Sequence, residues 1–294
     1  MKQVELVNGD LRFPALMAGE GEPVILLHGF PDTYENWAVQ INAIAQAGYT
    51  AIAPALRGYA PGCQPGNGDY SLYAAVDDLM VFASQLGGRV HLIGHDWGAV
   101  VGYLACAQAP DTFCSFSALA IPPVRRIPQA LLKVPEQVLL SGYMQFFQLP
   151  LAPEAWLSKG DLSGVETLWR RWSPNWEPEM YLDNAKYTLS EPGVITAALS
   201  WYRSLFRLWT RENRKTLPWL SRDIATPTQI LIGENDGCMS PKLLQHTLVE
   251  SDFSAGMELL RIQNAGHFLH LEKPDEVNAH LIRHLKATEC ECSL

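Results

Sequence analysis

Short, mainly apolar runs alternate with longer stretches of helical character along much of this chain. Residues 24–27, 49–53 and 90–93 are such runs, each bounded by glycine, proline or polar residues. They suit strands of a parallel sheet covered on both faces. Between them, residues 37–47 and 74–86 read as helices, and the strand–helix repeat predicts one open sheet with right-handed crossovers. Residues 1–7 and 11–16 predict an opening antiparallel hairpin with Asn8-Gly9-Asp10 as its turn.

The rhythm breaks after Ala118-Leu119-Ala120-Ile121-Pro122-Pro123. From there to about Lys215 the chain reads as helical pieces rich in aromatics, with six of the nine tryptophans: Trp156, Trp169, Trp172, Trp176, Trp201 and Trp209. Strand-like runs return at 228–233 and 257–262, followed by a closing helix from about Pro274. This is an α/β chain: a mostly parallel central sheet flanked by helices, with an inserted helical cap. The expected division is core 1–122, cap 123–215 and core 216–294.

Composition narrows the function classes. A length of 294 residues, 48% of them hydrophobic and 18% charged, allows a large buried core. The net charge of -9 argues against nucleic acid and anionic membranes as partners, since basic patches drive both. No apolar run approaches the roughly 20 residues that span a bilayer, and the first residues carry no apolar segment typical of a secretory signal. The cysteines Cys63, Cys106, Cys114, Cys238, Cys290 and Cys292 lack metal-ligand spacing. Cys290-x-Cys292 reads as incidental in a fraying tail, so a reducing cytoplasm and no bound metal are expected.

The chemistry concentrates in Gly94-His95-Asp96-Trp97-Gly98, between an apolar run and a small-residue helix. This is the strand–turn–helix context of G-x-S-x-G with aspartate in place of serine. Serine needs a base before it can attack, whereas an ionised aspartate can attack a tetrahedral carbon directly and leave an ester on the enzyme. Water must then cleave that ester. His267, after the last strand-like run, is the candidate base, and Asp236, in Gly233-Glu234-Asn235-Asp236-Gly237, is its orienting acid. The backbone N–H groups of Phe30, in His28-Gly29-Phe30-Pro31, and Trp97 are candidate oxyanion donors. Taken singly, Asp96 would be a turn residue before a helix and His267 a satisfied loop histidine; their shared arrangement favours catalysis. His95 and His270 read as structural, and Arg125-Arg126 and Arg170-Arg171 as solvated.

With these motifs the chain resembles the epoxide hydrolases of the α/β-hydrolase fold over nearly its whole length. Ser141-Gly142-Tyr143-Met144-Gln145-Phe146-Phe147-Gln148 and Leu199-Ser200-Trp201-Tyr202-Arg203 look like the family's segments that supply two ring-opening tyrosines. The resemblance thus implies that Tyr143 and Tyr202 donate to the epoxide oxygen. A phenol of ordinary pKa ~10 can do so while neutral. Tyr59-Ala60-Pro61-Gly62 departs from the family's usual run after Arg57-Gly58.

The expected activity is hydrolysis of an apolar or aryl epoxide to a vicinal diol, with Trp97, Phe30, Trp201 and Phe147 lining the substrate site. No cofactor is expected; the partners are the epoxide and water, and the protein is a monomer or homodimer. The first competing reading is a haloalkane dehalogenase, for which Trp97 offers a halide donor and Phe30 does not. An esterase or lactonase follows, and then a non-catalytic ligand-binding protein on the same scaffold.

Overall fold

The opening hairpin forms because its two strands alternate exposed and inward residues and a two-residue turn joins them. The computed structural model describes residues 1–207, 209–288 and 290, and in it β1 (Lys2–Asn8) pairs antiparallel with β2 (Leu11–Ala18). Gly9 turns the chain at φ 58°, a left-handed conformation that costs glycine little.

Six further strands follow: β3 (Pro23–Leu27), β4 (Thr50–Pro54), β5 (Val90–His95), β6 (Phe113–Leu119), β7 (Thr228–Gly233) and β8 (Met257–Ile262). All eight form one sheet in the order β1-β2-β4-β3-β5-β6-β7-β8. Every pairing from β4 through β8 is parallel, and β2 joins β4 antiparallel. The central strands β5, β6 and β7 are buried along their whole length, as expected where helices cover both faces. β6 had no strand assigned to it by the sequence pattern. Its run Phe113–Leu119 carries two serines that hide its apolar character, and both are buried through hydrogen bonds to His91 and Gln229.

The helix Leu72–Gln85 starts where the Ser71 hydroxyl accepts from the Ala74 N–H, an N-cap that satisfies one orphan donor. The helix Trp97–Gln108 leaves the end of β5, and Gly102 lets it approach the Phe116 ring, which a Cβ there would strike.

The helical insertion lies between β6 and β7. It runs through Ile127–Leu131, Pro135–Leu140, Gly142–Phe146, Ala152–Leu157, Lys159–Trp172, Glu179–Ser190, Val194–Leu205 and Arg211–Leu220. Specific polar contacts fix it over the carboxyl ends of the strands. The Trp169 indole donates to the Pro31 carbonyl at 2.8 Å, the Trp201 indole to the Arg57 carbonyl at 3.0 Å, and the Thr188 hydroxyl to Thr33 at 2.8 Å.

Two expectations are corrected here. Arg125 and Arg126 are not simply solvated: they bind Asp223 and Asp252 at 2.6 Å each, because the entry to the cap passes the segment before β7 and the one between β7 and β8 that carry those carboxylates. Cys290 is not incidental either. It is disulfide-bonded to Cys114, 176 residues away in sequence, because the closing helix Pro274–Ala287 returns the chain to the start of β6. Cys292 lies outside the described residues. Among those described, no helix is long and apolar enough to cross a membrane.

Candidate active site

β5 ends at His95, and the chain reverses through Asp96 into the helix Trp97–Gln108. Asp96 sits at φ 49°, ψ -116°, a strained backbone for a residue with a Cβ. Glycine is required on both sides: a Cβ at Gly94 would strike the Gly98 backbone, and one at Gly98 would strike Leu27. Gly29 faces the carboxylate itself, so a side chain there would overlap Asp96.

The two Asp96 oxygens have different surroundings. Oδ1 accepts the Phe30 N–H at 2.8 Å. Oδ2 faces His267 Nε2 at 3.6 Å, too long for a hydrogen bond, and is the oxygen left open. His267 Nδ1 meets Asp236 Oδ2 at 2.9 Å, and Asp236 Oδ1 accepts the N–H groups of Cys238 and Met239 at 2.7 and 2.8 Å. These contacts orient the imidazole with Nδ1 toward Asp236 and Nε2 toward Asp96.

Electrostatics follow from this geometry. Burial alone would lower the His267 pKa, but the charge and hydrogen bond of Asp236, reinforced by Asp96, push it up to about 10. Burial would raise the Asp96 carboxyl, but His267, His95 and the Phe30 N–H hold it below its ordinary value. Each group of the pair therefore favours the charged form of the other.

The cap brings Tyr143 and Tyr202 opposite Asp96, with ring centroids 5.8 Å apart. Burial first, and then nearby groups including Asp96, push both phenols well above their ordinary range, so both stay protonated donors. The Tyr202 hydroxyl is buried without a hydrogen-bond partner among the described residues, and the Tyr143 hydroxyl lies 3.5 Å from Cys238 Sγ. Phe30 and Phe147 pack edge-on against Tyr202 at 5.3 and 5.2 Å. Trp97 does the same at 4.9 Å. Trp201 meets the cluster through Trp97, 5.5 Å away, and its indole anchors the cap as described above.

The sequence reading left three contributors unassigned. Trp172 stands edge-on to His267 at 5.1 Å, and its carbonyl accepts the His267 N–H at 3.1 Å; nothing distinguishes it in sequence from the other cap tryptophans. Cys238 follows Asp236 by two residues, and its thiol is held neutral by burial. Asp32, next to the His28-Gly29-Phe30-Pro31 motif, is fully buried with its carboxyl raised to about 7 by burial, against opposing bonds from Asn36 and Thr33. With His95 and His270 it forms a buried polar cluster beside His267. His95 Nε2 donates to the His267 carbonyl at 3.0 Å, which supports that histidine's loop.

The loop before the elbow is fixed by His28, whose Nδ1–H donates to the Gly29 carbonyl and whose Nε2 accepts the Leu56 N–H, both at 2.9 Å. Burial lowers its pKa to about 4, so it stays neutral and both bonds persist.

An elbow aspartate, a histidine–aspartate pair and two cap tyrosines over one sheet end can be set against known proteins. The sequence matches the alpha/beta hydrolase family over residues 24–280. It is 30% identical to epoxide hydrolase 4 of Homo sapiens, covering 94% of this chain and 76% of that one. The chain belongs to the epoxide hydrolase family of α/β hydrolases. It is also 30% identical to the AB hydrolase superfamily protein YfhM of Bacillus subtilis (strain 168), covering 91% of both. Among solved structures, epoxide hydrolase A from Mycobacterium thermoresistibile is similar with a TM-score of 0.81 and 26% identity, covering 99% of both chains.

Proposed function

We propose that this enzyme opens an apolar or aryl epoxide by covalent catalysis at Asp96 and releases a vicinal diol. The observation that carries this reading is an ionised carboxylate with one open oxygen, facing two buried phenols that remain protonated. Asp96 Oδ2 attacks a ring carbon, the carbon–oxygen bond breaks, and Tyr143 and Tyr202 stabilise and protonate the departing oxygen. Oδ1 becomes the ester carbonyl oxygen, already beside the Phe30 N–H that would stabilise a tetrahedral oxyanion, with the Trp97 N–H as the second donor.

Alkylation also changes His267. The ester removes the Asp96 charge, one of the groups that raise the imidazole's pKa, so His267 loses its proton more readily. Ring opening consumes one proton and His267 releases one, so the exchange balances. Neutral His267, oriented by Asp236, then takes a proton from water as that water attacks the ester carbon; the ester carbon–oxygen bond breaks, the diol oxygen leaves with that proton, and the regenerated Asp96 carboxyl returns one to His267. Asp32 is the group we assign to hold this water, since its Oδ2 is buried beside His267 with no hydrogen-bond partner among the described residues. Trp97, Phe30, Phe147 and Trp201 form the apolar wall of the site, the last through Trp97, and residues 123–215 act as the cap.

A single turnover in 18O-labelled water, with enzyme in excess, tests the reading. The first diol should be unlabelled, because its new oxygen comes from Asp96, and the label should appear in the Asp96 carboxylate. Label in the first diol would mean direct attack by water and would refute the covalent route.

One observation favours dehalogenation as a second reading: the indole N–H groups of Trp97 and Trp172 are buried without partners among the described residues, and such donors can hold a leaving halide. Halide release from haloalkanes without diol formation from epoxides would establish it. We propose a cytoplasmic monomer or homodimer, supported by three buried free thiols, Cys63, Cys106 and Cys238. The Cys114–Cys290 disulfide points the other way.

A further inference from the structure

At the amino ends of β5 and β6, on the edge of the sheet opposite Asp96, three metal-binding side chains converge from three segments, with the Glu22 carboxylate against the histidine. His91 comes from β5, Cys114 from β6, Cys290 from the end of the closing helix and Glu22 from the turn before β3. The ligating atoms of His91, Cys114 and Cys290 lie within 4.8 Å of one another. Glu22 Oε2 is 3.2 Å from His91 Nε2, and Cys290 Sγ is 3.9 Å from it.

Local backbone geometry explains the convergence. Along β5 and β6, Val90 pairs with Phe113 and His91 with Ser115, so Cys114 is the extra residue of a β-bulge. A bulge re-aims a side chain out of the regular pleat alternation. The Ser115 hydroxyl, fully buried, holds His91 Nδ1 at 2.8 Å. The other ring nitrogen is thereby turned toward the sulfurs and Glu22. A partner on the distal nitrogen is how a metal-binding histidine is oriented.

In this structure Cys114 and Cys290 form a disulfide. We propose that on reduction Cys114, Cys290, His91 and Glu22 become a tetrahedral zinc site, so that the same two cysteines anchor the carboxyl-terminal segment in either redox state. A tetrahedral zinc spaces its donors roughly 3.3–3.8 Å apart, given bonds of about 2.0–2.3 Å. The His91–Glu22 and His91–Cys290 separations are already close to that range. A dithiol supplies the two electrons and two protons that convert the disulfide to two thiols; with a phosphine, the phosphine gives the electrons and becomes its oxide while water gives the two protons and the oxygen. Zinc then displaces those two protons as both thiolates bind. Reoxidation by a small-molecule disulfide, which takes up the two electrons and is itself reduced to two thiols, restores the Cys114–Cys290 bond and expels the metal. The chain's sequence gives no warning of this set, because its members are spread over residues 22 to 290 without ligand spacing.

The test uses the full chain, reduced with a phosphine, stripped with a chelator and titrated with Co2+ under anaerobic conditions. The expected result is one equivalent bound, with a thiolate-to-cobalt charge-transfer band, tetrahedral visible bands, release of two protons and displacement by Zn2+. The oxidised protein should show no such band. His91→Gln, which keeps both thiols, should weaken binding by at least about 100-fold, and Ser115→Ala by about 10- to 100-fold. Cys292→Ser should bind like the wild type. The proposal is overturned if the reduced protein gives no thiolate–cobalt band, if His91→Gln retains wild-type affinity, or if Cys292→Ser abolishes binding. Since the cluster lies at the opposite edge from Asp96, epoxide turnover of each variant reports whether it is folded.

Discussion

At the carboxyl ends of the strands, polar side chains are buried with hydrogen-bonding capacity left over: His267 Nε2, the Tyr202 hydroxyl, Asp32 Oδ2 and the indoles of Trp97 and Trp172. At the amino ends of β5 and β6, comparable groups are tied off, with His91 held through both nitrogens and Cys114 bonded to Cys290. Each unsatisfied buried group costs about 1–3 kcal/mol, so the open end carries a standing cost that the His91–Cys114 corner avoids. Backbone strain is distributed in the same way, with Asp96 in a left-handed conformation at the open end. The open end keeps donors and acceptors free for a reacting molecule; the closed end uses them to hold the chain together.

Substitutions at the two ends should therefore separate activity from stability. Asp96→Ala removes the attacking atom, and turnover should fall by at least about 10^4-fold while the thermal midpoint changes little, since alanine keeps the same strained backbone and the fold does not depend on the carboxylate. Steady-state diol formation together with a melting curve checks this. His267→Gln should cost as much in steady-state turnover, yet leave the first chemical step able to occur. Tyr143→Phe and Tyr202→Phe should each slow ring opening by about 10^2-fold, within the range of a general acid, with ester hydrolysis unchanged in rapid-mixing experiments.

A smaller effect is expected from pH. His267 has a folded-state pKa pushed up to about 10, so the stability it contributes is full below its ordinary value of about 6.5 and is lost as pH rises through about 10. Asp96→Asn removes one of its two carboxylate partners and should shift that loss to lower pH, read from melting temperature against pH. The closed end gives the reverse pattern from Asp96→Ala. Cys114→Ser should leave turnover unchanged and destabilise the fold by about 2–4 kcal/mol under oxidising conditions, the usual contribution of a disulfide closing a long loop. A loss of activity there without loss of stability would break the contrast between the two ends.

The two ends were also unequally legible in the sequence. The open end is written locally: Gly94-His95-Asp96-Trp97-Gly98 carries both the turn geometry and the reactive group, and Asp236 and His267 each follow an apolar run that became β7 or β8. The runs at 228–233 and 257–262 match those strands because each keeps a block of adjacent apolar residues, Ile230-Leu231-Ile232 and Leu259-Leu260, at its centre. β6 escaped because its serines Ser115 and Ser117 look polar until β5 and β7 supply their partners. Trp172 was missed because its role comes from the contact of cap with core, and Asp32 because only the folded sheet end brings it to His95 and His270. The closed end left no local trace: Cys114 and Cys290 meet only after the last helix has crossed the sheet.

The most direct test of the covalent account is the intact mass of His267→Gln after mixing with an aryl epoxide, with the modified residue located by digestion. The account predicts an adduct equal to the whole epoxide, on Asp96, because ring opening retains the leaving oxygen and the base that clears the ester is missing. An unmodified Asp96 after exposure to an epoxide that the wild-type enzyme turns over would contradict it.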